Sequence, residues 1–251
     1  MIIKMLFLLI IMTSSIFAGV AKITAAADLI YAFTEMKSVF EKQNPGDKIL
    51  ISFGSSGKAY TQIINGAPYD MYFSANMKYV QNLEKEGFTA TKPKTYAYGR
   101  IGLWLPKNKN IILTKGMSVL LDSRVKKIAI ANPEHAPYGV AAVDALKNRK
   151  YYEKIKDKIV TGENVSQTAQ FVQSGAADIG IIPISLALSK KLKKLGNFYL
   201  FPANWHNAII QGYALLKHGK DNQTAKKFEN FVSSKEAREI FNKYGFKLPN
   251  E

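Results

Sequence analysis

Short apolar runs alternate with helix-length segments along most of this chain, and that alternation restricts its fold more than any other feature. Lys22 to Ala27 and Lys48 to Phe53 (KILISF) predict strands. Between them, residues 28–43 carry Leu29, Phe33, Met36 and Phe40 at a spacing that lines one helical face. Gly57 to Ile64 predicts a helix closed by Asn65-Gly66, Met71 to Ser74 a third strand, and Met77 to Glu86 a third helix stopped by Gly87. The pattern then restarts. Tyr98 to Leu105 (YGRIGLWL) predicts a strand broken by Pro106, and Met117 to Asp122 a short helix. Lys127 to Ala131, Ile159-Val160 and Asp178 to Ile182 predict strands, with helices over 139–147 and 165–174. Ala208 to Leu216 predicts a late strand, and helices near 220–233 and 235–244 close the chain. Strands alternating with helices imply α/β layers, with parallel sheets covered on both faces. No Pro-, Gly- or Ser-rich linker separates the two blocks, and there is no internal repeat. The simplest architecture has two lobes, with crossings near 98 and 208. Residues 19–97 and 207–251 would form the first lobe and 98–206 the second.

The N-terminal end sets the expected compartment. Lys4 precedes the apolar run Met5 to Met12 (MLFLLIIM), and small residues follow up to Ala18 and Ala21. This predicts a cleavable secretory signal peptide, taken as residues 1–18, and places the mature protein in the periplasm. The apolar run is well short of the roughly 20 residues that span a bilayer. The chain has no cysteine. A disulfide framework, a thiolate zinc site, a cysteine nucleophile and a lipid anchor on an N-terminal cysteine are thereby excluded. The formal charge of +16 comes from scattered lysines, with no basic stripe interleaved with aromatics. Nucleic acid is therefore not an expected partner; the charge favours solubility and a weak long-range pull on anions.

Three loops at predicted strand ends attract attention, because open α/β sheets bind ligands there. In Ala25-Ala26-Ala27-Asp28-Leu29 a strand passes directly into a helix, whose free N–H groups suit an anion; an ordinary cap by Asp28 explains the same residues. Phe53-Gly54-Ser55-Ser56-Gly57-Lys58 lets backbone N–H groups converge and adds hydroxyls. The spacing of a nucleotide phosphate loop is absent, and a capped helix start is the simpler alternative. Asn132-Pro133-Glu134-His135-Ala136-Pro137-Tyr138-Gly139 is stiffened by two prolines and would bring the Tyr138 hydroxyl to a cleft. Gly162-Glu163-Asn164-Val165 is a fourth, weaker case of a turn before a helix. Recurrence is the signal: several helix N-termini converging on one dry cleft can hold a dianion without a full countercharge.

These stretches resemble the periplasmic molybdate-binding proteins of ABC importers. The resemblance runs through AAADL (25–29), SFGSSGKAYTQIINGAPYD (52–70), ANPEHAPYG (131–139), GENV (162–165) and REIFNKYGF (238–246), in order along the mature chain. It implies the two-lobed type II binding-protein fold, closing like a hinged trap on molybdate or tungstate. The ligand would be held by backbone N–H and hydroxyl groups alone, with no other cofactor, and passed to the membrane permease of an ABC importer by a monomeric carrier. By position, the ligand-binding residues would be Asp28, Ser56, Tyr138 and the backbone N–H of Val165. Pro183 stands where some members place a tyrosine, so Tyr138 would supply the phenol here. A carboxylate at 28 faces a dianion, which leaves two readings. Either the Asp28 backbone binds while the carboxylate turns away to cap its helix, or the carboxylate takes a proton from a protonated ligand such as hydrogen phosphate.

Other functions are weaker on the same residues. His135, His206 and His218 lack metal-ligand spacing, and no G-x-S-x-G elbow is present, so an enzyme is not expected. The fold would equally serve sulfate, phosphate or an iron–anion complex. Tyr96 and Tyr98 would suit ferric iron, but their spacing also fits one face of a strand.

Overall fold

A computed structural model of the protein describes residues 19–109 and 111–249; the expected signal peptide lies outside them. The chain runs through β1 (Val20–Ala26), a 3-10 turn (Ala27–Leu29), α1 (Ile30–Gln43), β2 (Lys48–Gly54), α2 (Ser56–Ile64), β3 (Met71–Ser74), α3 (Met77–Lys85) and β4 (Lys94–Gly99). After Arg100 come β5 (Ile101–Pro106), a 3-10 segment (Leu113–Leu121), β6 (Ile128–Ala131), α4 (Pro137–Asn148), α5 (Tyr152–Ile155) and β7 (Ile159–Gly162). Then follow α6 (Val165–Gln173), β8 (Ile179–Pro183), α7 (Ile184–Ala187), α8 (Lys190–Leu195), β9 (Gly196–Leu200), β10 (Ile209–Leu215), α9 (Gln223–Val232) and α10 (Lys235–Lys243).

The strands form two five-stranded sheets, ordered β2-β1-β3-β10-β4 and β7-β6-β8-β5-β9. In each, three parallel strands meet a fourth that runs antiparallel to its neighbours, β10 in the first sheet and β5 in the second. The strand expected over 98–105 is therefore two strands. Tyr98 and Gly99 pair with Ile210 and Ile209 in the first sheet, whereas Ile101 already pairs with Pro183 in the second. Arg100 is where the extended chain changes sheets. The short segment expected at 117–122 is a longer 3-10 stretch, and β9 and α7 are elements the sequence pattern did not announce.

Apolar periodicity explains the cores. In α1, Phe33, Met36 and Phe40 are fully buried and face the first sheet. Phe33 meets Phe73 of β3 edge-to-face at 4.8 Å, and Phe40 meets Phe228 of α9 at 5.3 Å. Phe228 and Phe241, from the last two helices, thus complete the core of the first sheet. The second sheet buries Trp104, Leu103, Ile128 and Ile181 against α4 and α6. Each such side chain contributes about 1.5–3 kcal/mol on burial. The two packed layers hold the loops between them in place, and those loops form the site.

Candidate functional site

The ends of β1 and β2 and the starts of α4 and α6 meet at one small cavity. Its lining includes Asp28, Ser55, Ser56, Tyr138 and Val165, so all four residues expected from the sequence are brought together. The space open to water within it is about 10 Å³, far below the roughly 300–1,000 Å³ of pockets that take organic ligands. No lysine or arginine lines it. A larger groove beside it, lined by Asn76, Met77, Val140 and Ile209, contains none of the buried unpartnered polar atoms found among the described residues.

The donors come from local chain geometry. Val165 is the first residue of α6, so its N–H has no intrahelical acceptor. The Asn164 side chain caps the helix by accepting from Ser166 N and Gln167 N at 3.0 and 3.1 Å, which leaves Val165 N outside the cap. At α2 the N-cap residue is Ser55, yet its hydroxyl caps nothing. Ser55 Oγ is buried without a partner. Ser56 Oγ accepts from Ala75 N at 2.9 Å, a bond that fixes its rotamer and leaves the hydroxyl proton free to be donated. Ser55 is a functional candidate that the sequence reading passed over in favour of its neighbour.

Asp28 does not cap its helix. The N-cap position is Ala26 and carries no side-chain cap bond. Instead Asp28 Oδ2 accepts from the Tyr138 hydroxyl at 2.8 Å and from Gln211 Nε2 at 3.0 Å. Gln211 Nε2 also donates to the Tyr138 hydroxyl at 2.6 Å. Tyr138 therefore lines the cavity, but its proton is committed to Asp28. Gln211, fully buried on β10, is a second residue the sequence reading missed; a lone amide inside the apolar run AIIQGYALL was its signal. Gly99 makes room for the cluster, since a Cβ there would collide with the Tyr138 hydroxyl and sit 2.7 Å from Gln211 Nε2.

Burial raises Asp28 to about 6, against smaller opposing effects of the Tyr138 and Gln211 hydrogen bonds. Burial and the adjacent Asp28 raise Tyr138 well above the usual phenol range, so it stays protonated and donates. Asp28 Oδ1 is buried with no partner.

Further bonds tie the two layers together around the cavity. Gly57 N donates to His135 O at 2.9 Å, Ser166 Oγ to Ala27 O at 3.2 Å and Ser185 Oγ to Asp28 O at 2.9 Å. The approach of His135 needs a glycine at 57, where a Cβ would lie 2.9 Å from that carbonyl. Lys58 Nζ meets Glu163 Oε2 at 2.7 Å. The described state is thus closed. Tyr96, considered above for iron, is buried and directs its hydroxyl to Ser74 O at 3.4 Å inside the first layer.

Residues 21–247 match the family described as bacterial extracellular solute-binding protein. The chain is similar to the molybdate-binding protein ModA of Azotobacter vinelandii, with 34% identity over 232 residues, covering 92% of this chain and 91% of the relative. It is 31% identical to ModA of Rhodobacter capsulatus over 230 residues, 91% of this chain and 88% of the relative. Among solved structures, the periplasmic molybdate-binding protein of Azotobacter vinelandii superposes with a TM-score of 0.83 at 31% identity, covering 92% of this chain and 100% of that one. The sulfate-binding protein SubI of Mycobacterium tuberculosis shares the fold, with a TM-score of 0.72 at 14% identity over 92% of this chain and 88% of that one.

Proposed function

The chain belongs to the bacterial extracellular solute-binding proteins, in their molybdate-binding ModA family, and from that premise we propose that it captures molybdate in the cavity between its layers and presents it to an ABC permease. The observation that carries this reading is the Ser55 hydroxyl, buried and unpartnered beside the uncapped N–H of Val165. Neutral donors converging on one small, closed cavity suit a small tetrahedral oxyanion.

Ser55, Ser56 and the backbone N–H of Val165 would donate to the anion. Tyr138 would contribute mainly through Asp28, and the backbone at residue 28 would complete the shell. The closed state, with its bonds across the cleft, supports a trap that opens at the sheet crossings near Arg100 and over 201–208, between β9 and β10. Tungstate, which resembles molybdate in size and charge, should fit the same shell. Sulfate is smaller and could not reach all the donors of a rigid cleft at once, so the donors it misses would stay unsatisfied. Export through the signal peptide at residues 1–18 would place this carrier in the periplasm, where it would act as a monomer.

The test is the melting temperature of the mature protein with molybdate, tungstate, sulfate and phosphate. A ligand at about 1,000 times its Kd adds about 4 kcal/mol to the folded state. A large rise with molybdate and tungstate and none with sulfate is expected. No rise with molybdate overturns the reading.

A further inference from the structure

Resting on the oxyanion reading above, we infer that Asp28 is a neutral carboxylic acid in the anion-loaded protein, so that capture of a dianion takes one proton from solution. Three observations on the geometry carry this. First, Asp28 lines the cavity and its side chain is fully buried in the closed state. Second, no cation pairs with it among the described residues. The groups acting on its carboxyl are the Tyr138 hydroxyl from α4, the Gln211 amide from β10 and its own backbone N–H, with no lysine or arginine among them. Tyr96 of β4 is close enough to feel its charge and is itself held in the neutral phenol form by burial. From α7, Ser185 bonds only the Asp28 carbonyl. At the rim, Lys58 is committed to Glu163, and His135 Nε2 lies 3.7 Å from that same carboxylate. Third, Oδ2 has two donors whereas Oδ1 has none, which leaves one buried oxygen free to carry a proton.

A buried carboxylate beside a dianion would face repulsion with nothing to neutralise it. The proton removes that repulsion, and the acid form can also donate a hydrogen bond. In the closed protein, burial alone raises Asp28 to about 6, and opening the cleft would relieve that burial. A dianion in the adjacent cavity raises it further, past neutrality. Above about pH 6 the empty protein therefore holds Asp28 ionised and the loaded one holds it protonated. Proton uptake and an affinity that weakens with rising pH follow directly. The alternative, in which a protonated ligand such as hydrogen phosphate brings its own proton to an ionised Asp28, takes up none from solution.

The experiment is calorimetric titration of the mature protein with molybdate and with tungstate, in two buffers of different ionisation enthalpy, between about pH 6 and pH 8.5. The expected result is an uptake that grows from about half a proton per anion at about pH 6 towards one above it, with Kd rising by up to about tenfold per pH unit between the free and loaded values of Asp28. Asp28→Asn keeps a neutral side chain of the same shape. It should bind with a Kd independent of pH, take up no proton, and exceed the parent affinity by tenfold or more at about pH 8. A parent protein that takes up no proton and has a flat Kd overturns the inference and leaves the oxyanion reading standing. Failure to bind either anion anywhere in the range overturns both. The parent measurement needs no variant to fold.

Discussion

The Tyr138 hydroxyl reaches across the cleft to donate a 2.8 Å hydrogen bond to Asp28 Oδ2, joining the start of α4 to the first turn after β1. This bond exists only while the two layers are closed. Tyr138→Phe removes it and leaves Asp28 paired with Gln211 alone. A hydrogen bond of this kind contributes about 1–2 kcal/mol, so the molybdate Kd should rise about tenfold. Titration calorimetry reads the change; an unaltered Kd would show that the hydroxyl does not support closure.

Ser55 and Ser56 are adjacent, but their removal should have different consequences. Ser56→Ala strips Ala75 N of its acceptor, and a buried N–H left unsatisfied costs about 1–3 kcal/mol of stability. Ser55→Ala deletes a hydroxyl that has no partner in the closed protein, so the melting temperature without ligand should hold or rise. Both should weaken molybdate binding, by a charge-assisted bond of about 1.5–3 kcal/mol each. Thermal melting with and without molybdate separates fold from site. A Ser55→Ala protein with parental affinity would remove that hydroxyl from the shell.

The helices with a clear apolar stripe were legible in the sequence because burial imposes its period on them, as with Phe33, Met36 and Phe40. The sheet crossing was not. Residues on either side of Arg100 are extended and apolar, so the local pattern is continuous although the hydrogen-bond partners change. Elements as short as α7 and β9 have too few residues to show a period. At the site, the loops were legible but their side-chain roles were less so. Which of two adjacent serines is left free depends on Ala75 N, 19 residues away, which bonds Ser56 Oγ and leaves Ser55 unpartnered. The fate of the Asp28 carboxylate depends on Gln211, at a separation of 183 residues.

Gly99 adjoins the Asp28–Tyr138–Gln211 cluster, and a methyl group there would displace both donors. Gly99→Ala should cost about 1–3 kcal/mol of overpacking strain. Because the strain falls on closed-state contacts, molybdate affinity should fall along with the melting temperature. Denaturant melts and titrations on one preparation check this, and an affinity untouched by the substitution would show the cluster is irrelevant to closure.

Asp28 has a pH signature in the protein without ligand. Its folded value of about 6 lies above the ordinary 3.8, so the folded chain holds this proton more tightly than the unfolded one. Asp28 therefore carries no penalty below about pH 4; the penalty grows as the pH rises to about 6 and then stays near 3 kcal/mol. Asp28→Asn should raise the melting temperature by several degrees at about pH 7.5 and change it little at about pH 4. An equal gain at both values would mean the carboxyl is not strained by ionisation.

Lys58 and Glu163 close the mouth of the cleft at 2.7 Å, one in the first turn of α2 and the other just before α6. Their side chains are 56% and 38% exposed, so water screens the pair and its worth is about 0–1 kcal/mol. Lys58→Ala should then raise the molybdate Kd less than about fivefold in dilute buffer. The difference from the parent should fade in about 1 M sodium chloride, where the screening length is about 3 Å. Tyr138 and Asp28 are buried, and screening by salt acts far less on groups removed from water. The Tyr138→Phe loss should therefore persist at high salt while the Lys58→Ala loss does not. Titrations of both variants at the two salt concentrations make the comparison. A Lys58→Ala effect that survives in high salt would mean the ion pair latches the trap geometrically rather than by charge.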